Sequence, residues 1–178
     1  DGRPDLFLVN GPDKNGLFLQ KDDFRFEDVT QQAGVDGGDA WGAGAATVDF
    51  DGDGDLDLYV CNYDSPNQLF INDGTGKQFT DEAEARGLAM VDASLTPSFV
   101  DHDRDGDLDL FVGGRILPGR YPAAAGSVLL ENRNAKLHAA HRWPALGMVQ
   151  GAVFSDLTGD ARPELILALH WDSLRVFS

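Results

Sequence analysis

The stretch Asp49-Phe50-Asp51-Gly52-Asp53-Gly54-Asp55-Leu56-Asp57-Leu58-Tyr59-Val60-Cys61-Asn62 decides the fold. Its second half, DGDLDLYVCN (53–62), recurs as DGDLDLFVGG (105–114), DGRPDLFLVN (1–10) and DARPELILAL (160–169). Anchored on the last acidic residue of each copy, Asp5, Asp57, Asp109 and Glu164, the spacings are 52, 52 and 55 residues. The likeness runs past the anchors. Leu17–Gln20 matches Leu69–Asn72, Asn10 and Asn15 match Asn62 and Asn67, and FEDVTQQAGV (26–35) matches FTDEAEARGL (79–88). A fixed period near 50 residues marks a repeat protein whose unit is one supersecondary element.

Each unit reads as short strands punctuated by turns. In the second, a Gly/Ala-rich strand over Ala43–Asp49 enters the acidic loop and a β-rich strand over Leu56–Asn62 leaves it. A turn at Asp64-Ser65-Pro66 precedes a strand at Gln68–Asn72, and Asp73-Gly74-Thr75-Gly76 precedes a short one at Phe79–Asp81. Only Asp81–Gly87 has the composition of a helical turn. Four strands of four to seven residues per unit predict an all-β chain of four-stranded antiparallel β-propeller blades. The repeats fall at about 1–38, 39–90, 91–146 and 147–178, giving 3, 4, 4 and 3 strands in a single segment. Because the two partial units lack strands from different ends of a blade, the expectation is about three and a half to four blades of a larger propeller, with neighbouring blades as partners. A closed four-bladed ring is the alternative.

The acidic loops predict metal sites. DFDGDGDLD (49–57) and DHDRDGDLD (101–109) place Asp at positions 1, 3, 5, 7 and 9 and Gly at position 6. Ca²⁺ takes six to eight oxygens from carboxylates and carbonyls, and alternate residues of a tight loop can face one centre. The expected ligands are the side chains of Asp49, Asp51, Asp53 and Asp57 with the Asp55 carbonyl, and of Asp101, Asp103, Asp105 and Asp109 with the Asp107 carbonyl. The side chains of Asp55 and Asp107 are expected to point outward. A solvated Asp-Gly turn would explain one such loop but not two in register. An EF-hand needs Glu at position 12, where Val60 and Val112 stand, and helices on both sides. The loop DLTGDARPE (156–164) keeps Asp156, Asp160 and Glu164 but carries Thr158, Ala161 and Arg162, a degraded third candidate. Asp1, Arg3 and Asp5 are what this chain holds of a first loop.

Composition agrees. The chain has 178 residues, 25 Asp against 5 Glu, and a formal net charge of −16. Asp with abundant Gly points to turns and hard-cation loops rather than helices. The absence of a basic stripe argues against nucleic acid, and no apolar run approaches the ~18 residues of a membrane helix. The single Cys61 excludes an intramolecular disulfide and reads as a core residue.

These motifs resemble the FG-GAP/VCBS repeat family, whose D-x-D-x-D-G-x-x-D loops occur in integrin α-type propellers. The order from Trp41 through NQLFINDGTGKQFTD (67–81), and GGRILPGRYP (113–122), are similar to the cartilage-acidic-protein (ASPIC/UnbV-type) branch and its bacterial relatives. The resemblance covers essentially the whole chain and departs at the 156–164 loop and at the truncated first loop of Asp1, Arg3 and Asp5. It implies a seven-bladed parent propeller, an extracellular, cell-surface or periplasmic setting behind a signal peptide, structural calcium, and binding or adhesion more often than catalysis.

A ligand site is harder to read. Between Gly113 and Ser127 the third unit is about eight residues longer than the second and carries Arg115, Arg120 and Tyr121. These residues suit a protein or glycan partner with anionic groups, or else belong to a Pro-braced crossing onto the next blade. Trp41, Trp143 and Trp171 read as core or blade-junction residues. His102, at position 2 of its loop, should face away from an ion, and His138, His141 and His170 have no local partners. No nucleophile elbow, zinc helix motif or phosphate loop is present. The leading expectation is a non-catalytic calcium-stabilised recognition or adhesion module. The alternatives are a propeller of a polysaccharide lyase or hydrolase, and an architectural spacer of a surface protein.

Overall fold

A computed structural model of the chain describes residues 2–91 and 94–178. Asp1, part of the truncated loop, lies outside the described residues. The first sheet is β1 (Leu6–Leu8), β2 (Gly16–Gln20) and β3 (Phe26–Asp28), followed by the one-turn helix α1 (Thr30–Ala33). The second is β4 (Trp41–Val48), β5 (Asp57–Tyr63), β6 (Gln68–Asn72) and β7 (Phe79–Asp81), followed by α2 (Ala83–Arg86). The third is β8 (Ser94–Val100), β9 (Asp109–Gly114), β10 (Ser127–Asn132) and β11 (Leu137–Trp143). The fourth is β12 (Val149–Ser155), β13 (Glu164–Leu169) and β14 (Arg175–Phe177). Every sheet is an antiparallel meander in chain order.

The sheets stack face to face as propeller-like blades, and the alternation of strand side chains explains how. Leu58 and Val60 of β5 face the first sheet and pack with Leu17, Val29 and Val35. Tyr59 and Cys61, between them in sequence, face the third sheet and pack with Leu110, Val112 and Val128. One strand further on, Phe111 of β9 faces the fourth sheet and meets Val149, Leu165 and Leu167. A strand sandwiched between two sheets must be apolar on both faces, hence the runs LDLYV and LDLFV. The first strands β4, β8 and β12 lie beside one another. Gly44 is required there, since a Cβ at this position would sit 2.0 Å from the Leu95 carbonyl oxygen.

Repeated polar contacts hold the register. Asn15 and Asn67 are buried, and their side-chain oxygens accept the Asn10 and Asn62 N–H at 3.1 and 2.8 Å. Asp28 and Asp81 accept the Thr30 and Ala83 N–H at 3.0 and 3.1 Å, opening α1 and α2. The strand of the second unit expected to begin at Ala43 instead begins at Trp41. A bulge between Gly42 and Gly44 lets the pairing continue to Trp41↔Tyr63, and a bulge is invisible to simple alternation.

Candidate metal centres

The acidic loops join β4 to β5 and β8 to β9, and the degraded loop joins β12 to β13 at the same end of its strands. All three close through the same hydrogen bonds. The carboxylate at position 1 accepts the N–H of position 6: Asp49 from Gly54 at 3.2 Å, Asp101 from Gly106 at 3.2 Å, Asp156 from Ala161 at 2.8 Å. The carboxylate at position 5 accepts the N–H of position 7 in Asp53, Asp105 and Asp160. Gly54 and Gly106 both stand at φ +96°, where a Cβ is strained, and Ala161 holds φ +65° at the matching place.

Position 9 does something that sequence reasoning missed. Asp57 takes the Phe50 N–H on one oxygen at 2.9 Å and the Asn72 N–H on the other at 2.8 Å. Asp109 does the same with His102 at 3.0 Å and Asn132 at 2.9 Å. Glu164 accepts the Leu157 N–H at 2.7 Å, and Asp5 accepts that of Gln20 at 2.8 Å. This residue clips its loop to the neighbouring strands. The signal was available in the strict 52-residue spacing of Asp5, Asp57 and Asp109 with Gln20 and Asn72, but spacing alone does not distinguish a clip from a ligand.

Carboxylate oxygens of Asp49, Asp51 and Asp53 lie within 4.8 Å of one another, as do those of Asp101, Asp103 and Asp109. Asp57 stands at its clip beside the first group; Asp105 and Asp107 are exposed at the second. No lysine or arginine forms an ion pair with any of these ten aspartates among the described residues. Burial pushes the carboxyls of Asp57 and Asp109 above the ordinary range, against the pull of their N–H bonds. Asp55 is raised by burial and then by the charges of Asp53, Asp51 and Asp49. Its side chain lies outside the converging group and over Gly74, with one oxygen buried and unpartnered. Asp101 likewise holds a buried oxygen without a partner. Such a donor set is hard, all-oxygen and uncompensated, which fits a Ca²⁺-type cation.

The 156–164 loop is built otherwise. Thr158 turns its hydroxyl onto Glu164 at 3.4 Å, and Arg104 of the preceding loop donates to the Asp160 carbonyl at 3.2 Å. Among the described residues it brings no three carboxylates together, and Arg162 is exposed. Arg3 of the first loop pairs with Asp22 at 3.2 Å. His102 places Nε2 3.7 Å from Glu131 on β10.

The long third-unit loop is divided between two places. Arg115 lines a cleft between the second and third sheets with Trp41 and Tyr63. Tyr121 meets Trp171 edge-on at 5.7 Å, and Arg120 stands exposed in the turn before it. Trp143 is a junction residue, against Phe111 and Phe177. Trp41 and Trp171, 51% and 74% exposed, are junction rather than core residues, Trp41 lying against Gly11 of the first unit and Trp171 against Tyr121 of the third. Cys61 is buried, and burial pushes its thiol well above the usual range.

Comparison with known proteins places this geometry. Residues 1–60 and 49–112 match the family described as FG-GAP-like repeat. Cartilage acidic protein 1 of Homo sapiens is 29% identical over 180 residues, covering 96% of this chain and 26% of that protein. The Xenopus tropicalis protein of the same name is 28% identical over 177 residues, covering 96% and 27%. The chain thus spans about a quarter of the length of these relatives.

Proposed function

Because this chain belongs to the FG-GAP-like repeat family, we propose that it is a calcium-stabilised extracellular β-propeller segment that recognises a ligand and performs no chemistry of its own. The observation that carries the reading is the convergence of Asp49, Asp51 and Asp53, and of Asp101, Asp103 and Asp109, at matching places in two sheets. The first ion is held by the side chains of Asp49, Asp51, Asp53 and Asp57 with the Asp55 carbonyl. The second is held by Asp101, Asp103, Asp105 and Asp109 with the Asp107 carbonyl. Calcium supplies positive charge to aspartates that no lysine or arginine pairs with among the described residues, and its tolerance of irregular oxygen cages suits these loops better than the strict octahedron of Mg²⁺. Two ions, each adding two charges, bring the formal −16 to −12.

The relatives' name refers to cartilage, an extracellular matrix, which supports the extracellular setting. Leu6 and Leu8 on the outer face of the first sheet, and Val153 and Val176 on that of the fourth, are exposed apolar residues suited to burial by neighbouring blades. Equilibrium dialysis should find two calcium ions per chain, one lost in each of Asp51→Asn and Asp103→Asn. A polysaccharide panel incubated with the protein should yield no new reducing ends and no unsaturated products. Absence of bound calcium, or glycan cleavage, contradicts the respective half of the proposal.

A further inference from the structure

We propose that the cleft between the second and third sheets, at the strand ends away from the acidic loops, binds a single carboxylate-bearing sugar residue. This deepens the recognition reading above and rests on it. The cleft has a volume of about 560 Å³ and is lined by Trp41, Tyr63, Ser94, Leu95, Arg115 and Ile116. The pairings Trp41↔Tyr63 and Ser94↔Gly114 put these residues at one end of their sheets, while the acidic loops close the other end. The volume lies within the ~300–1,000 Å³ of small-molecule sites, enough for one or two pyranose rings.

Three features select the ligand. Trp41 is half exposed, and its ring centroid lies 5.8 Å from that of Tyr63 at a 57° tilt, so the pair forms an accessible aromatic wall. An aromatic wall packs well against the C–H face of a pyranose, whose hydroxyls stay in water at the open side. A wholly apolar acid would instead need a cleft that encloses it. Arg115 is exposed and makes no ion pair or hydrogen bond among the described residues. A guanidinium free to form two parallel hydrogen bonds matches a carboxylate. One arginine on a molecule of net charge −16 selects one negative charge. The lining offers one guanidinium, so further negative charges on a ligand would find no second cation there. An aspartate or glutamate side chain, with a stem of one or two carbons, would leave most of the aromatic wall uncovered.

The test uses the calcium-loaded chain and amide and indole NMR shifts. Methyl glucuronide should shift the Trp41 indole N–H and the Arg115 amide saturably, and methyl glucoside should bind at least tenfold more weakly. Arg115→Gln should remove that preference while leaving the melting temperature unchanged, and Trp41→Ala should weaken both sugars. Arg120→Gln, outside the cleft, should change neither. Equal binding of the two sugars, or binding unaffected by Arg115→Gln, overturns the proposal. Binding at the cleft by an acetyl-Asp-Leu amide in place of the glucuronide also overturns it, but leaves the recognition reading standing. No shift with any probe overturns it too, and the recognition reading is then judged by its own calcium and polysaccharide experiments.

Discussion

Asp57 is 1% exposed, yet it keeps a carboxylate in the sheet because both oxygens are occupied by N–H groups from two different segments. Its clip role and its place beside Asp49, Asp51 and Asp53 are separable by mutation. Asp57→Ala strands the Phe50 and Asn72 N–H groups and should cost about 2–6 kcal/mol in urea unfolding even without metal, at ~1–3 kcal/mol per stranded group. Asp51→Asn should leave the metal-free midpoint nearly unmoved and reduce only the gain on adding calcium. Equal losses from the two variants in metal-free buffer would remove the distinction. The pH dependence has a definite sign as well. Asp55, Asp57 and Asp109 have raised carboxyl values, so the folded chain holds protons there that the unfolded chain releases. The stability this lends is full below the ordinary Asp value of 3.8 and is lost as pH rises through the raised values. Asp28 and Asp73, lowered by hydrogen bonds from Thr30 and Thr75, act oppositely and lose their contribution as pH falls below 3.8. Metal-stripped protein should therefore unfold at higher urea as pH drops from 7 toward the ordinary Asp value of 3.8, and weaken as pH falls below it. A midpoint that falls steadily from pH 7 downward would show that the loop carboxyls are not raised.

At the scale of elements, the inner strands are set by close approach. Gly44→Ala drives a methyl into the Leu95 carbonyl at 2.0 Å, backbone that has no side-chain freedom to yield. Overpacking of this kind costs about 1–3 kcal/mol, and denaturant unfolding should show a loss in that range. A neutral result would mean that the second and third sheets do not pack so tightly there. The strands Gln68–Asn72 and Phe79–Asp81 were fully legible, since the turns Asp64-Ser65-Pro66 and Asp73-Gly74-Thr75-Gly76 punctuate short β-rich runs. The start of β4 was not, because the bulge at Gly42 shifts the alternation by one residue. The Trp41–Arg115 cleft lay beyond sequence reading for a different reason. Its two decisive residues stand 74 positions apart and meet only because two sheets stack face to face. The loop holding Arg115, Arg120 and Tyr121 was visible as an insertion, but its division between the cleft and Trp171 depends on where the third and fourth sheets come together.

Across the whole molecule, charge is distributed unevenly. Ten of the 25 aspartates lie in two nine-residue loops at one end of the sheets, without a compensating ion pair among the described residues. Trp41, Tyr63, Arg115, Tyr121 and Trp171 gather at the other end. Without a cation, each loop confines carboxylates a few ångströms apart, where like charges repel by ~1–4 kcal/mol per pair depending on solvent access. With calcium bound as proposed, the same loops would tie first strand to second in both central sheets, making the metal a part of the fold. The direct measurement is the melting temperature of one sample with calcium at a hundredfold excess over Kd and then with excess EGTA at pH 7.5. Two sites at ~2.7 kcal/mol each predict a drop of about 10–20 °C on chelation, reversed by adding calcium back. A melting curve that chelation leaves unmoved would contradict the assignment of both loops.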